Sequence, residues 1–490
     1  MNREIIKEPM SKVDTAWLRM EQPTNLMMIN GVIFLGGALD YERLLQTIEE
    51  RFLTFRRFTQ KASDGAAGAH WVTDPDFDIS WHVRRTALPG KADKEELELL
   101  VSDLASTPLD PERPLWQFHV VENFIEGPVI IVRIHHCIAD GIALVQVFLS
   151  LTDSTPEGRA SAGEPETWKK RRASESPIFQ RLLEPAREGI DFATHMGQRL
   201  VAEGQKILQD PSIATDYVVE ATEIVKELSH SLTLPDDPDT RFRGTLGVRK
   251  QVAWAEPLAL DEVKAVGKAL GCTVNDVLIA AVSGALRNYM IAQGDSKDAL
   301  QDIRATVPVN LRPLEHAKDL GNHFGLVFLD LPLGLESPLE RLYAVNERMT
   351  QLKSSRQAAV TFGFLAALGM GPSALQKPVL DVLSQKASAV LTNVPGPREP
   401  IYLSGTRIEE LMFWVPQNGQ IGLGISILSY NGQVFFGLIT DSRLVSDPRN
   451  IIDRFKPEFE KLLYLGMMLP LEGRPNVGSA RVLLNHADKE

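Results

Sequence analysis

The chain has 490 residues, of which 44% are hydrophobic and 24% are charged, and its formal net charge at pH 7 is -12. This composition is typical of a soluble globular protein, and the length predicts two domains of roughly 200 residues each. The negative charge, without a large basic face, argues against nucleic-acid binding. The two cysteines, Cys137 and Cys272, lie far apart and outside any metal-ligand pattern, so we expect neither a disulfide framework nor a zinc site.

The distribution of apolar residues bears on the cellular compartment. Residues 1–8 mix both charge signs and contain no apolar core, which argues against a secretory signal. The longest apolar stretches, 358–371 and 277–286, are shorter than the ~20 residues that span a bilayer. We therefore predict a cytoplasmic protein whose contact with lipid is peripheral.

Strand-like and helix-like segments alternate in the first 150 residues. The predicted elements are, in order, a strand at 28–35, a helix at 40–52, a helix at 95–102, a hairpin of strands at 115–122 and 129–134, and a helix at 141–151. Asp140 directly precedes the last of these helices and is a candidate for its N-cap.

The composition then changes to Ser, Pro, Gly, Glu and Lys between residues 152 and 177, which predicts a surface linker. Two helices are predicted after it, near 196–207 and 218–228, followed by a loop at 232–245.

A second mixed region begins at Val248. Its predicted elements are strands at 250–254, 303–309, 326–331, 389–391, 422–428 and 433–439, and helices at 261–270 and from about 275. The predicted division of the chain is an N-terminal lobe at 1–153, a connection at 154–246, a C-terminal lobe at 247–476 and a tail at 477–490.

The segment His135-His136-Cys137-Ile138-Ala139-Asp140-Gly141, directly after the predicted hairpin, combines several reactive residue types. A histidine at a strand end can act as a general base, and the glycine permits tight backbone geometry. Only one of two adjacent histidines can face the same cavity, so the other is expected to be structural. Metal binding is the weaker interpretation because no third ligand stands at a suitable spacing. Asp140 could orient the base or form an ion pair that holds the loop; the second role is favoured and requires an arginine partner.

Further motifs follow in a fixed order along the chain. With the histidine motif they are Pro114-Leu115-Trp116, Thr273 to Val277, Val307 to Arg312, Leu320 to Gly325 and Thr392 to Pro397. Together they make nearly the whole chain resemble the bacterial bifunctional wax ester synthases and acyl-CoA:diacylglycerol acyltransferases. That family lies within the CoA-dependent acyltransferases, with chloramphenicol acetyltransferase and peptide-synthetase condensation domains. The resemblance implies an α/β fold of two chloramphenicol acetyltransferase-like lobes, with mixed sheets flanked by helices and the active site at the lobe interface.

The resemblance also implies roles for the residues of the histidine motif. His136 matches the catalytic base and Asp140 the acid that organises the loop. His135 and Gly141 are then structural residues at the site, and Arg312 is the expected partner of Asp140.

Two positions of the C-terminal lobe are implied to assist the reaction. Asn275 matches a position associated with activity and could donate to the oxyanion or brace the histidine loop, although it could equally cap its own helix. Thr392 and Asn393 lie where the second lobe of such enzymes approaches the reacting carbonyl, and a Pro-Gly turn explains that block almost as well.

Three other features have a structural interpretation as well as a functional one. His323, in a Gly-flanked loop, is expected to be structural. The basic run 169–172 could attract phosphates but is typical of a solvated linker. The segment 360–370, rich in Gly and Ala, could line an aliphatic channel, with ordinary helix packing favoured.

The implied activity is transfer of a long-chain acyl group from acyl-CoA, as co-substrate, to a fatty alcohol or diacylglycerol. No permanently bound cofactor and no metal are expected. His136 removes the hydroxyl proton in a ternary complex, and Asn275 and Thr392 are candidates to stabilise the oxyanion. The alternatives are a condensation-type acyltransferase with a carrier-protein donor and a non-catalytic protein that binds lipid droplets. Peripheral association with membrane or lipid inclusions is also implied.

Overall fold

The computed structural model describes residues 5–65, 68–158, 234–310, 320–322, 324–353, 361, 384–417 and 419–468. The strands before residue 159 are β1 (Lys7–Pro9), β2 (Met28–Leu35), β3 (Gln60–Gly65), β4 (Gly68–Thr73), β5 (Val83–Thr86), β6 (Trp116–Val121), β7 (Val129–His135) and β8 (Thr152–Asp153). The helices are α1 (Lys12–Met20), α2 (Tyr41–Thr47), continued by a π-helical segment (Ile48–Phe52), α3 (Ile79–His82), α4 (Lys94–Ser106) and α5 (Gly141–Leu151).

The elements after residue 233 complete the described chain. The strands are β9 (Lys250–Trp254), β10 (Leu258–Ala259), β11 (Ile303–Asn310), β12 (Phe324–Leu331), β13 (Ala389–Pro395), β14 (Tyr402–Leu403), β15 (Thr406–Trp414), β16 (Leu423–Tyr430) and β17 (Gln433–Asp441). The helices are α6 (Leu260–Leu270), α7 (Val274–Ala292), α8 (Pro338–Lys353) and α9 (Pro448–Met468).

The first large sheet has seven strands in the order β5-β6-β7-β2-β15-β14-β8. Its centre is the predicted hairpin, since β6 and β7 pair antiparallel with Gln117 opposite Arg133. Two of its strands, β14 and β15, come from the C-terminal part of the chain, and β15 pairs with β2. The N-terminal lobe is therefore completed by a segment that follows most of the second lobe in sequence.

The second large sheet also has seven strands, in the order β10-β17-β16-β13-β11-β12 with β9 paired to β17. Its pairings are mixed, because β13 runs parallel to both β11 and β16 whereas β16 and β17 are antiparallel. Apolar side chains of this sheet and of α6, α7 and α9 form a separate hydrophobic core. This arrangement confirms the prediction of mixed sheets flanked by helices. A small sheet in the order β1-β4-β3 packs with the N-terminal lobe.

The helices of the described ranges are too short or too polar to span a bilayer singly. Helices α6 and α7 reach the required length and hydropathy only together, across a bend of 98°.

Candidate active site

The histidine motif forms the turn between β7 and α5. His135 is the last residue of β7, and α5 begins at Gly141. Asp140 is the N-cap, as predicted, because its Oδ1 accepts the backbone N–H of Ala143 at 2.8 Å. Gly141 does not have a positive φ, and an added Cβ would meet no atom within 4 Å. The backbone conformation at position 141 therefore does not itself require a glycine, and the space beside it is empty.

His136 lies in the contact between the two lobes and is 5% exposed. Its ring stacks on Trp17 of α1, with centroids 4.2 Å apart and an interplanar angle of 16°, and lies 5.5 Å from the ring of Phe324 in β12. Burial lowers the pKa of His136 to about 4, although the charge of Asp140 acts to raise it. Nδ1 is enclosed without a hydrogen-bond partner among the described residues. At neutral pH the imidazole is therefore uncharged and able to accept a proton.

His135 points away from this contact and is held by two neighbours. Its Nδ1 accepts the backbone N–H of Cys137 at 3.1 Å, and its Nε2 lies 2.8 Å from Oε2 of Glu21. Burial acts to raise the pKa of Glu21, but the contact with His135 and the hydrogen bond from the Met27 backbone together outweigh it, so that this pKa is lowered. These contacts support the structural role predicted for His135.

The C-terminal lobe contacts the histidine loop through the segment 320–322. The carbonyl of Gly321 accepts the backbone N–H of Asp140 at 3.3 Å. Asn322 donates from Nδ2 to the His136 carbonyl at 2.8 Å and to Oδ1 of Asp14 at 2.8 Å. The sequence motif that contains Asn322 supported the family resemblance, but no role was predicted for Asn322 or Asp14.

Asn275 lies in the first turn of α7. The alternative that Asn275 caps this helix was wrong, because Thr273 is the N-cap and forms a reciprocal capping box with Asp276. Asn275 instead accepts a hydrogen bond through Oδ1 from Nδ2 of Asn393, at 2.8 Å. This bond leaves the Nδ2 group of Asn275 as a donor, the function that an oxyanion requires.

Thr392 is buried in β13, where its Oγ1 lies 3.4 Å from the Ile425 carbonyl and 3.4 Å from Oγ of Ser426. The hydrogen bonds described for Thr392 and Asn275 thus remain within the C-terminal lobe, and neither residue bonds to His136. Their predicted part in the reaction stays a prediction.

Several predicted features lie outside the described residues. These are Arg312, His323, the basic run 169–172, the predicted helices near 196–207 and 218–228, the tail 477–490 and, except for residue 361, the segment 360–370. Within the described ranges no group of three His, Cys, Asp or Glu side chains could hold a metal ion.

An apolar cavity adjoins the histidine motif. Its volume is about 160 Å³, and it is partly open to solvent. Gly141 and Leu144 of α5 line it, together with apolar residues of α2, β2, β7 and the segments 394–397 and 411–415. A cavity lined by apolar side chains favours a hydrocarbon chain over a polar group.

Family models match both lobes of this chain. The model described as the wax ester synthase/diacylglycerol acyltransferase catalytic domain matches residues 10–278, and the WS/DGAT C-terminal domain matches residues 320–463. The probable diacylglycerol O-acyltransferase tgs1 of Mycobacterium tuberculosis is 28% identical over 421 residues, which are 84% of this chain and 86% of that protein. The probable enzyme tgs2 of the same species is 30% identical over 83% of this chain and 86% of its own length.

Solved structures show the same fold. The wax ester synthase/diacylglycerol acyltransferase from Marinobacter aquaeolei VT8 aligns with a TM-score of 0.64 at 23% identity, over 94% of this chain and 100% of that one. A starter condensation domain of rhizomide synthetase, in complex with C8-CoA, aligns with a TM-score of 0.55 at 12% identity, over 96% of each chain. These likenesses confirm the predicted two-lobed architecture. Because the catalytic-domain model alone matches more than half of the chain, the protein belongs to the wax ester synthase/diacylglycerol acyltransferase family.

Proposed function

We propose that this acyltransferase moves a long-chain acyl group from acyl-CoA to the hydroxyl of a fatty alcohol or a diacylglycerol, with His136 as the general base. The observation that carries the proposal is the uncharged, buried imidazole of His136, which lies between the lobes in the turn that also borders the apolar cavity. The family match and the names of the relatives favour this reaction over carrier-dependent condensation.

The reaction proceeds by direct transfer. His136 removes the proton of the acceptor hydroxyl as its oxygen attacks the thioester carbonyl, and the Nδ2 group of Asn275 donates to the oxyanion that develops. Collapse of the tetrahedral intermediate breaks the carbon–sulfur bond and expels CoA thiolate. The imidazolium returns the proton to the thiolate, so the base is regenerated without an acyl-enzyme or a bound cofactor.

The apolar cavity is the proposed site of the acyl chain. A cavity of about 150 Å³ holds one benzene molecule, so a volume of about 160 Å³ holds roughly six carbons of a chain. The remaining carbons of a palmitoyl group then extend through the open side of the cavity. Gly141 leaves the space between this cavity and the histidine turn unfilled.

Both substrates have long apolar chains that partition into lipid. We therefore extend the proposal to peripheral association with membranes or lipid inclusions, which sedimentation with phospholipid vesicles and with triacylglycerol emulsions would measure.

The test is CoA release from palmitoyl-CoA with hexadecanol, with a diacylglycerol and without an acceptor. We expect acceptor-dependent release that falls by about 10²- to 10⁴-fold in His136→Gln, the usual contribution of a general base. His119→Gln is the matched control, because burial also lowers the pKa of His119 to about 4 but its ring lies on β6, outside the histidine turn. Release without an acceptor, or equal losses in the two variants, would contradict the proposal.

A further inference from the structure

The buried side chains of Asp14 and Asn322 join the two lobes beside the turn that carries His136. Asp14 of α1 is 4% exposed and Asn322 is 2% exposed. Oδ1 of Asp14 accepts the backbone N–H of Asn322 at 3.0 Å and its Nδ2 at 2.8 Å. The same Nδ2 donates to the carbonyl of His136 at 2.8 Å. The pair therefore links α1, the C-terminal lobe and the backbone of the base.

The backbone conformation of the segment 320–322 allows its contact with Asp14 and the histidine motif. Gly321 has a φ of +107°, in the left-handed region that favours glycine, and a Cβ there would lie 3.4 Å from Oδ2 of Asp14. In this conformation its carbonyl pairs with Asp140 while the next residue reaches Asp14 and His136.

Helix α1 supplies the opposite side of the arrangement. Asp14 and Trp17 stand at positions i and i+3, which share one face of α1, and Glu21 directly follows the helix as its C-cap. Each contacts the histidine turn differently: Asp14 through Asn322, Trp17 by stacking on His136, and Glu21 at His135. Two contacts from one face of α1 and a third from the residue that ends the helix fix both the backbone and the ring of His136.

We infer that Asp14 and Asn322, the interlobe clasp, are positioning residues that set the orientation of the His136 ring for proton removal. The inference rests on the proposed role of His136 as the base. Neither side chain needs to touch a substrate: Asp14 holds the amide of Asn322, and the amide holds the backbone from which the imidazole projects.

The rival explanation is that the clasp only docks the lobes. The reversed pair Asp14→Asn with Asn322→Asp separates the two explanations, because an amide at position 14 can donate to a carboxylate at position 322 and so restore the link between the lobes. An ionised carboxylate has no proton to donate to the His136 carbonyl, so the variants are compared at pH 8, where the carboxyl group is ionised. Docking alone predicts that the reversed pair recovers both thermal stability and turnover, whereas positioning predicts recovery of stability only.

Asn25→Asp is the matched control. Asn25 is also buried, and its Nδ2 also donates to a carbonyl of the other lobe, that of Gly419 at 3.0 Å. The turn that carries it is closed by two backbone hydrogen bonds between Gln22 and Asn25, which the substitution leaves in place.

The first readout does not depend on activity. The ¹H–¹³C resonance of the His136 ring, assigned by its loss in His136→Gln, is displaced by the ring current of the stacked Trp17. We expect this displacement to be reduced in Asn322→Asp and in the reversed pair and kept in Asn25→Asp. An unchanged resonance in both clasp variants overturns the inference, whatever reaction the protein catalyses.

The second readout is steady-state acyl transfer per folded molecule, measured below the melting temperature of each variant. We expect kcat to fall by about 10- to 100-fold in Asn322→Asp and in the reversed pair, with both KM values within about twofold, since small misplacements of a reacting group cost that much. Recovery of the parent kcat by the reversed pair overturns the inference. Absence of acyl transfer in the parent rejects the proposed function instead. The resonance of the His136 ring then tests by itself whether the clasp orients the ring.

Discussion

Burial of His136 predicts that acyl transfer continues at full rate well below the ordinary pKa of histidine. The pKa is lowered from 6.5 to about 4 because the charged ring would be desolvated in the lobe contact. A shift of about 2.5 units corresponds to about 3 kcal/mol between the two protonation states. At pH 6 only about 1% of the base is then protonated, compared with about three quarters of an ordinary histidine.

The assay follows ester formation at saturating substrates from pH 5.5 to 8, at constant ionic strength, with the ester quantified after extraction. We expect kcat to vary by less than about twofold over this range. Samples held at each pH and assayed at pH 8 control for irreversible loss of enzyme. A decline to half the maximal kcat near pH 6.5, with full recovery at pH 8, would refute the argument from burial.

The same shift has a consequence for folding. Between pH 6.5 and about 4 the unfolded chain binds a proton at position 136 that the folded protein does not bind, so stability falls as the pH falls through this window. The stability lost through His136 reaches about 3 kcal/mol near pH 4. The free energy of unfolding of His136→Gln, measured with urea, should therefore depend less steeply on pH than that of the parent. Parallel slopes would show that the folded ring titrates normally.

Three further substitutions test other parts of the structure. Leu144→Phe adds volume to the wall of the apolar cavity, so the KM of palmitoyl-CoA should rise more than that of octanoyl-CoA; equal changes would place the chain elsewhere. Asp140→Ala removes the cap of α5 and should lower the stability by about 1 kcal/mol together with activity, and normal thermal unfolding would count against both the cap and the predicted ion pair. Asp441→Asn leaves the buried Lys250 ammonium without its carboxylate, 2.6 Å away, and should cost about 3–5 kcal/mol in urea unfolding with little change in kcat per folded molecule.

Local patterns in the sequence were sufficient to place the histidine motif. The predicted strand at 129–134 and helix at 141–151 correspond to β7 (Val129–His135) and α5 (Gly141–Leu151). Both are apolar runs whose ends carry turn or capping residues, and such signals depend only on neighbours in the chain. The capping box Thr273-x-x-Asp276 is equally recognisable from the sequence and would have excluded Asn275 as the cap.

Contacts between distant segments could not be predicted in the same way. Strand β15 joins the first sheet beside β2, with Leu411 opposite Ile33, although most of the second lobe lies between them in sequence. Asn322 is separated from Asp14 by 308 positions and from His136 by 186. A single sequence carries periodicity and caps, but it contains no measure of which remote segments meet, so α1 and Asn322 received no role at the site.

The uncharged state of His136 depends on the contact between the lobes. Its ring is covered on one side by Trp17 from the N-terminal lobe and on another by Phe324 from the C-terminal lobe, and desolvation is the largest cause of its lowered pKa. If the lobes separated, water would reach the ring and its pKa would return toward 6.5. The contact that excludes water therefore also holds the base in the form that can accept a proton.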